Sequence, residues 1–374
     1  MKQLTINSSG NIYDAWLASA SMPPDTVKDI LNLYSSSEGF FNAISHDDKD
    51  LQEVVSPRYC QILKSNGTDQ RMNTMRTVME QNGIRVLRYT DETYPQALLE
   101  IDQYPPILFY QGDLQCLQRR IVAMVGSRAA SYSGLKAARK LACDLSIAGV
   151  SVVSGMACGI DAASHRGCMD GGSPTVAVTG CGLDIVYPRE NTGLKDDILS
   201  KGGLMLTEYA PGEKPAGWHF PFRNRIICGI SHALILIEAK IRSGSMTSVQ
   251  HALDQGKDVF VYPGEPDSEY FEGNHRLLRE GGIYFTGAED VLSDLHWLDN
   301  QSAVRQNIDC SAEESVSTPE QAAVIRALKP GNLSFEQLLE RTCLDPPVLM
   351  STLTMLQISG LIEALPGKQY KIKH

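Results

Sequence analysis

Five short β-branched runs, "IVAMVGS", "VSVVSG", "TVAVTG", "ALILIE" and "DVFVYPG", recur between residues 121 and 264, most of them leading into glycine or serine and then a helical stretch. Between the first two, "GLKAARKLACDLSIAG" sets Leu135, Ala138, Leu141, Ala142 and Leu145 on one face and turns Lys136, Arg139 and Lys140 elsewhere, the pattern of a crossover helix. Apolar strands alternating with amphipathic helices over about 170 residues predict a doubly wound α/β domain, a mostly parallel sheet covered on both faces, here assigned to residues 83–296. Ligands of such sheets bind outside the carboxyl ends of the strands, so the loops there are the place to look for function.

The flanks differ. Residues 1–82 read as a small helical domain, through "IYDAWLASA", "PPDTVKDILNLYSS" and "GFFNAIS". Two strands are expected around Val86 and Leu108. Residues 297–318 lose periodicity and become polar and acidic, as a linker does. Over 319–374, three helices followed by a hairpin with a Pro-Gly turn predict a winged helix, whose six Lys and Arg against four Asp and Glu in 321–374 give only +2, weak for a duplex reader.

A chain of 374 residues, 43% hydrophobic, suits two or three domains with sizeable cores. It contains no run of about 18 apolar residues, and its start, "MKQLTINSSG", lacks the apolar segment of a secretory signal; a cytoplasmic protein with no membrane partner is expected. Nine cysteines without a C-x-x-C pair suggest reduced core residues rather than a zinc ribbon or disulfide framework. A net charge of -10 argues against indiscriminate coating of nucleic acid but leaves room for one local basic site.

Each strand end supplies a loop. In "VGSR", Gly126 permits close backbone approach, Ser127 is placed to cap a helix, and Arg128 offers a fork for phosphate. In "SGMACGIDAASH", Gly155 and Gly159 make a turn and Asp161 starts a helix. In "SGSMTS", Ser243, Ser245 and Thr247 cluster around Gly244 where a helix begins, either as an anion site or as ordinary serine capping. Neither a Walker loop nor G-x-G-x-x-G is present, so no nucleotide cofactor is expected. Asp161 and His165, at i and i+4, suit an acid/base pair, metal ligands or a loop-fixing contact; with no third ligand at a suggestive spacing, no metal is expected. Cys158 and Cys181 lie in these loops with nothing nearby to activate them.

The most informative loop is "KPAGWHFPFRNR". Trp218, His219, Phe220 and Phe222 offer π-faces, while Lys214, Arg223 and Arg225 offer charge, which is what unpaired, stacking nucleotides require. Alternatively, the phenylalanines pack into the core and the arginines pair with Glu208 or Glu238. Asn224, between the two arginines, is placed to orient loops through backbone bonds.

Taken in order, "VGSR", "VVSGMACGIDAASH", "AVTGCGLDIVYPREN", "TEYAPG", "HFPFRNRIICGIS", "LIEAKIRSGSMTS", "VYPGE" and "GNHRLLREGG" closely resemble the DNA processing protein A (DprA, also called Smf) family, over about residues 105–295. The flanks resemble, more loosely, its sterile-alpha-motif-like and winged-helix domains. The resemblance implies a non-catalytic protein with no catalytic residues, whose extended Rossmann-like domain binds single-stranded DNA and forms a homodimer. It also implies loading of RecA onto incoming DNA in natural transformation, past single-strand binding protein. Carried over residue by residue, the DNA contacts are Ser127, Arg128, Phe220, Arg223, Asn224, Arg225, Ser243, Gly244 and Ser245, with Gly126, Gly155, Gly159, Asp161 and His165 shaping the pocket. Where the family often has a basic residue before the His-Phe-Pro, this chain has Gly217 and Trp218, and Lys214 is the substitute. The rival is a Rossmann-like nucleoside monophosphate hydrolase, which needs a poised carboxylate from Asp161, Glu208 or Glu238; a duplex-binding regulator centred on the winged helix ranks third.

Overall fold

Strand β3 (Ile121–Gly126) shows why both faces of the sheet are covered: Ile121, Ala123 and Val125 enter one apolar cluster and Val122 and Met124 enter another, all of them buried. Its neighbours β4 (Ser151–Ser154) and β7 (Ala233–Glu238) are buried along their whole length as well. The computed structural model describes residues 10–46, 54–298, 319–328, 332–342, 344–358, 361–365 and 369–372. They form two compact units, Met1–Trp297 and Leu298–His374.

In the first unit, helices α1 (Gly10–Ala18), α2 (Pro24–Tyr34), α3 (Ser37–Ser45), α4 (Pro57–Asn66) and α5 (Asp69–Asn82) precede the sheet. Trp16 is fully buried among them, its indole donating to Leu63 O at 2.9 Å with the rings of Phe40 and Phe41 alongside. These helices share an apolar cluster with Ile107, Phe109, Met156 and Met205 of the sheet region. Asp14 of α1, itself buried, accepts from Arg88 Nε at 2.8 Å, so an ion pair with its arginine partly exposed joins α1 to β1 (Arg85–Arg88).

Nine strands follow the order β1, β2 (Ile107–Gly112), β6 (Leu204–Thr207), β5 (Val176–Val178), β4, β3, β7, β8 (Asp258–Val261) and β9 (Ile283–Tyr284). Pairing is antiparallel at β1–β2 and β2–β6 and parallel from β6 to β9, a doubly wound, mostly parallel sheet as expected. The crossover helix expected after β3 is α6 (Tyr132–Ile147), and α7 (Ile160–Asp170) packs beside it over the Val122 and Met124 face. Helix α8 (Thr192–Ser200) links β5 to β6, whereas α9 (His219–Gly229) and α10 (Gly244–Asp254) cover the opposite face.

The second unit is a winged helix. Helices α11 (Pro319–Leu328), α12 (Phe335–Thr342) and α13 (Pro346–Ile358) enclose Val324, Ile325, Leu338, Leu349 and Leu353. Strands β11 (Ile362–Leu365) and β12 (Gln369–Ile372) pair antiparallel as the hairpin, and a short β10 (Leu333–Ser334), not foreseen, adds to β12. The Pro-Gly turn and residues 299–318 of the expected linker lie outside the described residues.

Candidate nucleic-acid interface

Strand β3 pairs in parallel with β4 on one side and β7 on the other, so the strand order reverses there and a crevice opens at the carboxyl ends of β3 and β7. A cavity of 510 Å³ occupies it, lined by Gly126 at the end of β3, Ser127 and Arg128 after it, Asp161 of α7, Phe220, Arg223 and Asn224 of α9, and Ser243, Gly244 and Ser245 at the start of α10. Segments far apart in sequence meet because every parallel strand delivers its loop to the same edge.

Close approach depends on glycines. A Cβ on Gly126 would stand 2.5 Å from the Ile160 side chain, and one on Gly155 would stand 2.5 Å from Arg223 Nη2. Gly159, at φ +78°, would put a Cβ 2.2 Å from Ser127 O, the carbonyl that accepts from Ile160 N as α7 begins.

Arg223 is 3% exposed; its Nη1 donates to Gly155 O at 2.8 Å while its Nε meets no protein partner. Burial holds this guanidinium down to about 10, partly offset by Asp161, so it stays charged at neutral pH. Asp161 accepts from Gly155 N at 3.1 Å and Ala157 N at 3.2 Å, and burial raises its carboxyl above the usual range against the pull of Arg223. Ser243 sits at the N-cap of α10, yet its hydroxyl makes no capping bond and is buried without a partner. Serine capping therefore does not explain this loop.

At the cavity mouth, the exposed Arg128 lies over the half-buried Phe220, guanidinium carbon 5.2 Å from the ring centre. Gly180 makes room for that ring, since a Cβ there would stand 2.9 Å from it. Tyr187, which sequence reasoning passed over, places its ring 5.4 Å from Phe220. The only signal for it was an aromatic residue in a strand-end loop, "GLDIVYP".

Other candidates sit elsewhere. Arg225 is buried and grips Glu208 with two bonds of 2.7 and 2.6 Å, while its Nε donates to Gln103 O at 3.0 Å and its guanidinium covers Phe222 at 3.8 Å. For this arginine the ion pair with Glu208, the alternative left open by the sequence, is what the fold builds. Lys214 stands exposed outside the cavity lining. His165 is buried in α7, its Nδ1 donating at 2.8 Å to Thr175 Oγ1, which donates onward to Val152 O. Burial pushes its imidazole down to about 3, so it is a neutral core group tied to β4 rather than a partner of Asp161. His219 stacks on Tyr209 at 3.9 Å and faces Gly180 O at 3.0 Å. Cys181 is buried, and burial pushes its thiol up to about 11.

Comparison with known proteins bears on the same residues. The family model described as DNA recombination-mediator protein A matches residues 85–296, and the DprA winged helix domain model matches residues 311–368. The chain belongs to the DNA recombination-mediator protein A family. DNA processing protein DprA of Streptococcus pneumoniae is 44% identical over 207 residues, 55% of this chain and 73% of that one. Protein Smf of Escherichia coli is 32% identical over 313 residues, 79% of each. Among solved structures, the S. pneumoniae DprA crystal structure matches at a TM-score of 0.63 with 33% identity, covering 75% of this chain and 95% of that one. DNA processing protein A of Helicobacter pylori, whose structure is described as giving insights into its single-stranded DNA binding mode, matches at 0.52 with 27% identity, covering 57% and 95%.

Membership supports a role in DNA processing and recombination mediation. Trp218, the residue before the His-Phe-Pro, is 56% exposed at the start of α9. In "GNHRLLREGG", Asn274 accepts from Ala239 N at 2.8 Å and donates to Ile237 O and Tyr262 O, tying the ends of β7 and β8 together. Each of the three carboxylates a hydrolase was expected to draw on is engaged: Glu208 by Arg225, Asp161 by the Gly155–Ala157 backbone, and Glu238 by Ser131 N and Oγ at the start of α6. Among the described residues no group of three His, Cys, Asp or Glu is arranged to hold a metal, and no helix is long and apolar enough to cross a membrane.

Proposed function

We propose that the chain binds single-stranded DNA in the switch-point cavity and acts, without catalysing a reaction, as a recombination mediator. One observation carries this: a charged, almost fully buried Arg223 with a partnerless Nε shares the cavity with a partnerless Ser243 hydroxyl at a helix N-terminus. Buried donors left unpaired are costly, and phosphate oxygens are acceptors of the kind both groups lack. Arg128 adds a second, exposed cation, and Phe220 with Tyr187 adds ring surface for a base. Ser127, Asn224, Gly244 and Ser245 complete the wall, Gly126, Gly155, Gly159 and Asp161 hold its shape, and Lys214 approaches the strand from outside. Single-stranded DNA binding by the H. pylori relative supports the same assignment.

From family membership the reading extends to loading RecA during natural transformation, to helping it past single-strand binding protein, to a homodimer through the Rossmann-like domain and to action in the cytoplasm. The boundaries 1–82, 83–296, 297–318 and 319–374 are proposed as its helical, DNA-binding, linker and winged-helix parts.

Fluorescence anisotropy of a labelled oligo-dT strand over a salt series tests it, with unlabelled duplex and nucleoside monophosphates as competitors. Salt-sensitive binding that neither competitor displaces is expected. Displacement by nucleoside monophosphates would instead favour the nucleotide hydrolase.

A further inference from the structure

A second cavity lies on the other side of α9. It measures 380 Å³, within the range of small-ligand pockets of about 300–1,000 Å³, and is walled by Trp218, Phe222, Tyr209 and Tyr59 with Met22 and Glu208. Its position follows from helical geometry. At 100° per residue, Trp218 and Phe222 share one face of α9, whereas Phe220, Arg223 and Asn224 share the opposite face and line the first cavity. The width of the helix thus separates the two, roughly 10 Å.

The lining has a specific chemistry. Trp218 leaves half its surface exposed although apolar residues surround it, and it holds an aromatic corner with Tyr209 and Phe222, each ring centre 6.3 Å from its own. Glu208 would repel a phosphodiester strand if it stood alone, but the bidentate bond to Arg225 neutralises it. A carboxylate so paired still has lone pairs to accept from the N–H groups of a heterocycle. Flat aromatic walls plus a neutralised acceptor fit a nucleobase better than they fit phosphate, which finds no unpaired cation here.

We infer that this cavity is a second nucleobase site, which takes a base of the same single strand after the strand crosses the first turn of α9. The inference rests on the proposed function and adds to it: the backbone is held on the Arg128 and Arg223 side, and a base stacks against Trp218 on the other.

The full-length chain is tested with the shortest oligonucleotide that binds it, carrying one abasic residue at each position in turn. With the unmodified protein, two separate positions should be sensitive to base removal. Trp218→Ala should weaken binding of the intact strand by about 10-fold and abolish the sensitivity at one position only. Trp218→Phe should restore much of it, and Phe220→Ala should affect the other position. The salt slope should not change in Trp218→Ala, because no phosphate contact is lost. Unaltered affinity in Trp218→Ala, or a loss accompanied by a flatter salt slope, overturns the inference. If the unmodified protein does not bind the strand at all, the proposed function itself falls.

Discussion

Two arginines two residues apart illustrate how little a motif says about the fate of each side chain. In "RNR", Arg223 points into the switch-point cavity with an unpaired Nε, and Arg225 turns to Glu208 and is consumed by the fold. The two should separate in experiment. Arg128→Ala and Arg223→Ala are each expected to reduce the log–log salt slope of single-strand binding by about 0.7, the value for one phosphate contact on a single strand. Arg225→Ala should leave that slope intact and cost about 3 kcal/mol of stability, read as a fall in the urea midpoint, because it strands Glu208 as a buried unpaired charge. Replacing both partners, Arg225→Met with Glu208→Leu, should recover much of that loss. Sequence alone left the choice open, since pairing depends on which carboxylate the tertiary fold brings within 3 Å.

At the level of elements, the strand–loop–helix rhythm was legible because its periods, two for strands and 3.6 for helices, are written in side-chain type. Glycines at the strand ends carried the second legible signal. Gly159→Ala should destabilise the protein by at least about 1 kcal/mol from its left-handed backbone alone, with the clash against Ser127 O adding to this. Gly244, where a Cβ would meet nothing within 4 Å, should accept alanine within about 0.5 kcal/mol, and thermal unfolding of the two variants checks the contrast. What the loops did not reveal was partnership. Glu238 was a candidate catalytic carboxylate and instead caps the start of α6 through Ser131, while Ser243, open between an anion site and a cap, makes no capping bond. Tyr187 and Asn274 went unnoticed because a lone aromatic and a lone amide have no period and no spacing to read.

Across the whole molecule, buried titratable groups set the response to acid. His165 has a folded value of about 3 against about 6.5 when free, so the unfolded chain binds the extra proton between those values. Its contribution to stability is complete above about pH 6.5 and is lost as the pH falls towards 3, on the order of 3 kcal/mol by pH 4. Asp161, whose carboxyl is raised by burial, acts in the opposite sense, its contribution being present at low pH and lost as the pH rises. Urea midpoints at pH 7 and pH 4 should therefore differ less in His165→Gln than in the unmodified protein. Each hydrophobic cluster lies wholly within one of the two units, which predicts that residues 1–297 fold alone and bind single-stranded DNA with the salt slope of the full chain. Circular dichroism and anisotropy of that fragment measure both. By itself the sequence determined the doubly wound sheet, the winged helix and the loops that would meet at one edge, because periodicity and glycine placement are local properties of the chain. Only the tertiary structure decided which arginine faces the cavity, which carboxylates are already engaged, and that α9 has a cavity on each side, because these depend on residues brought together from opposite ends of the sequence.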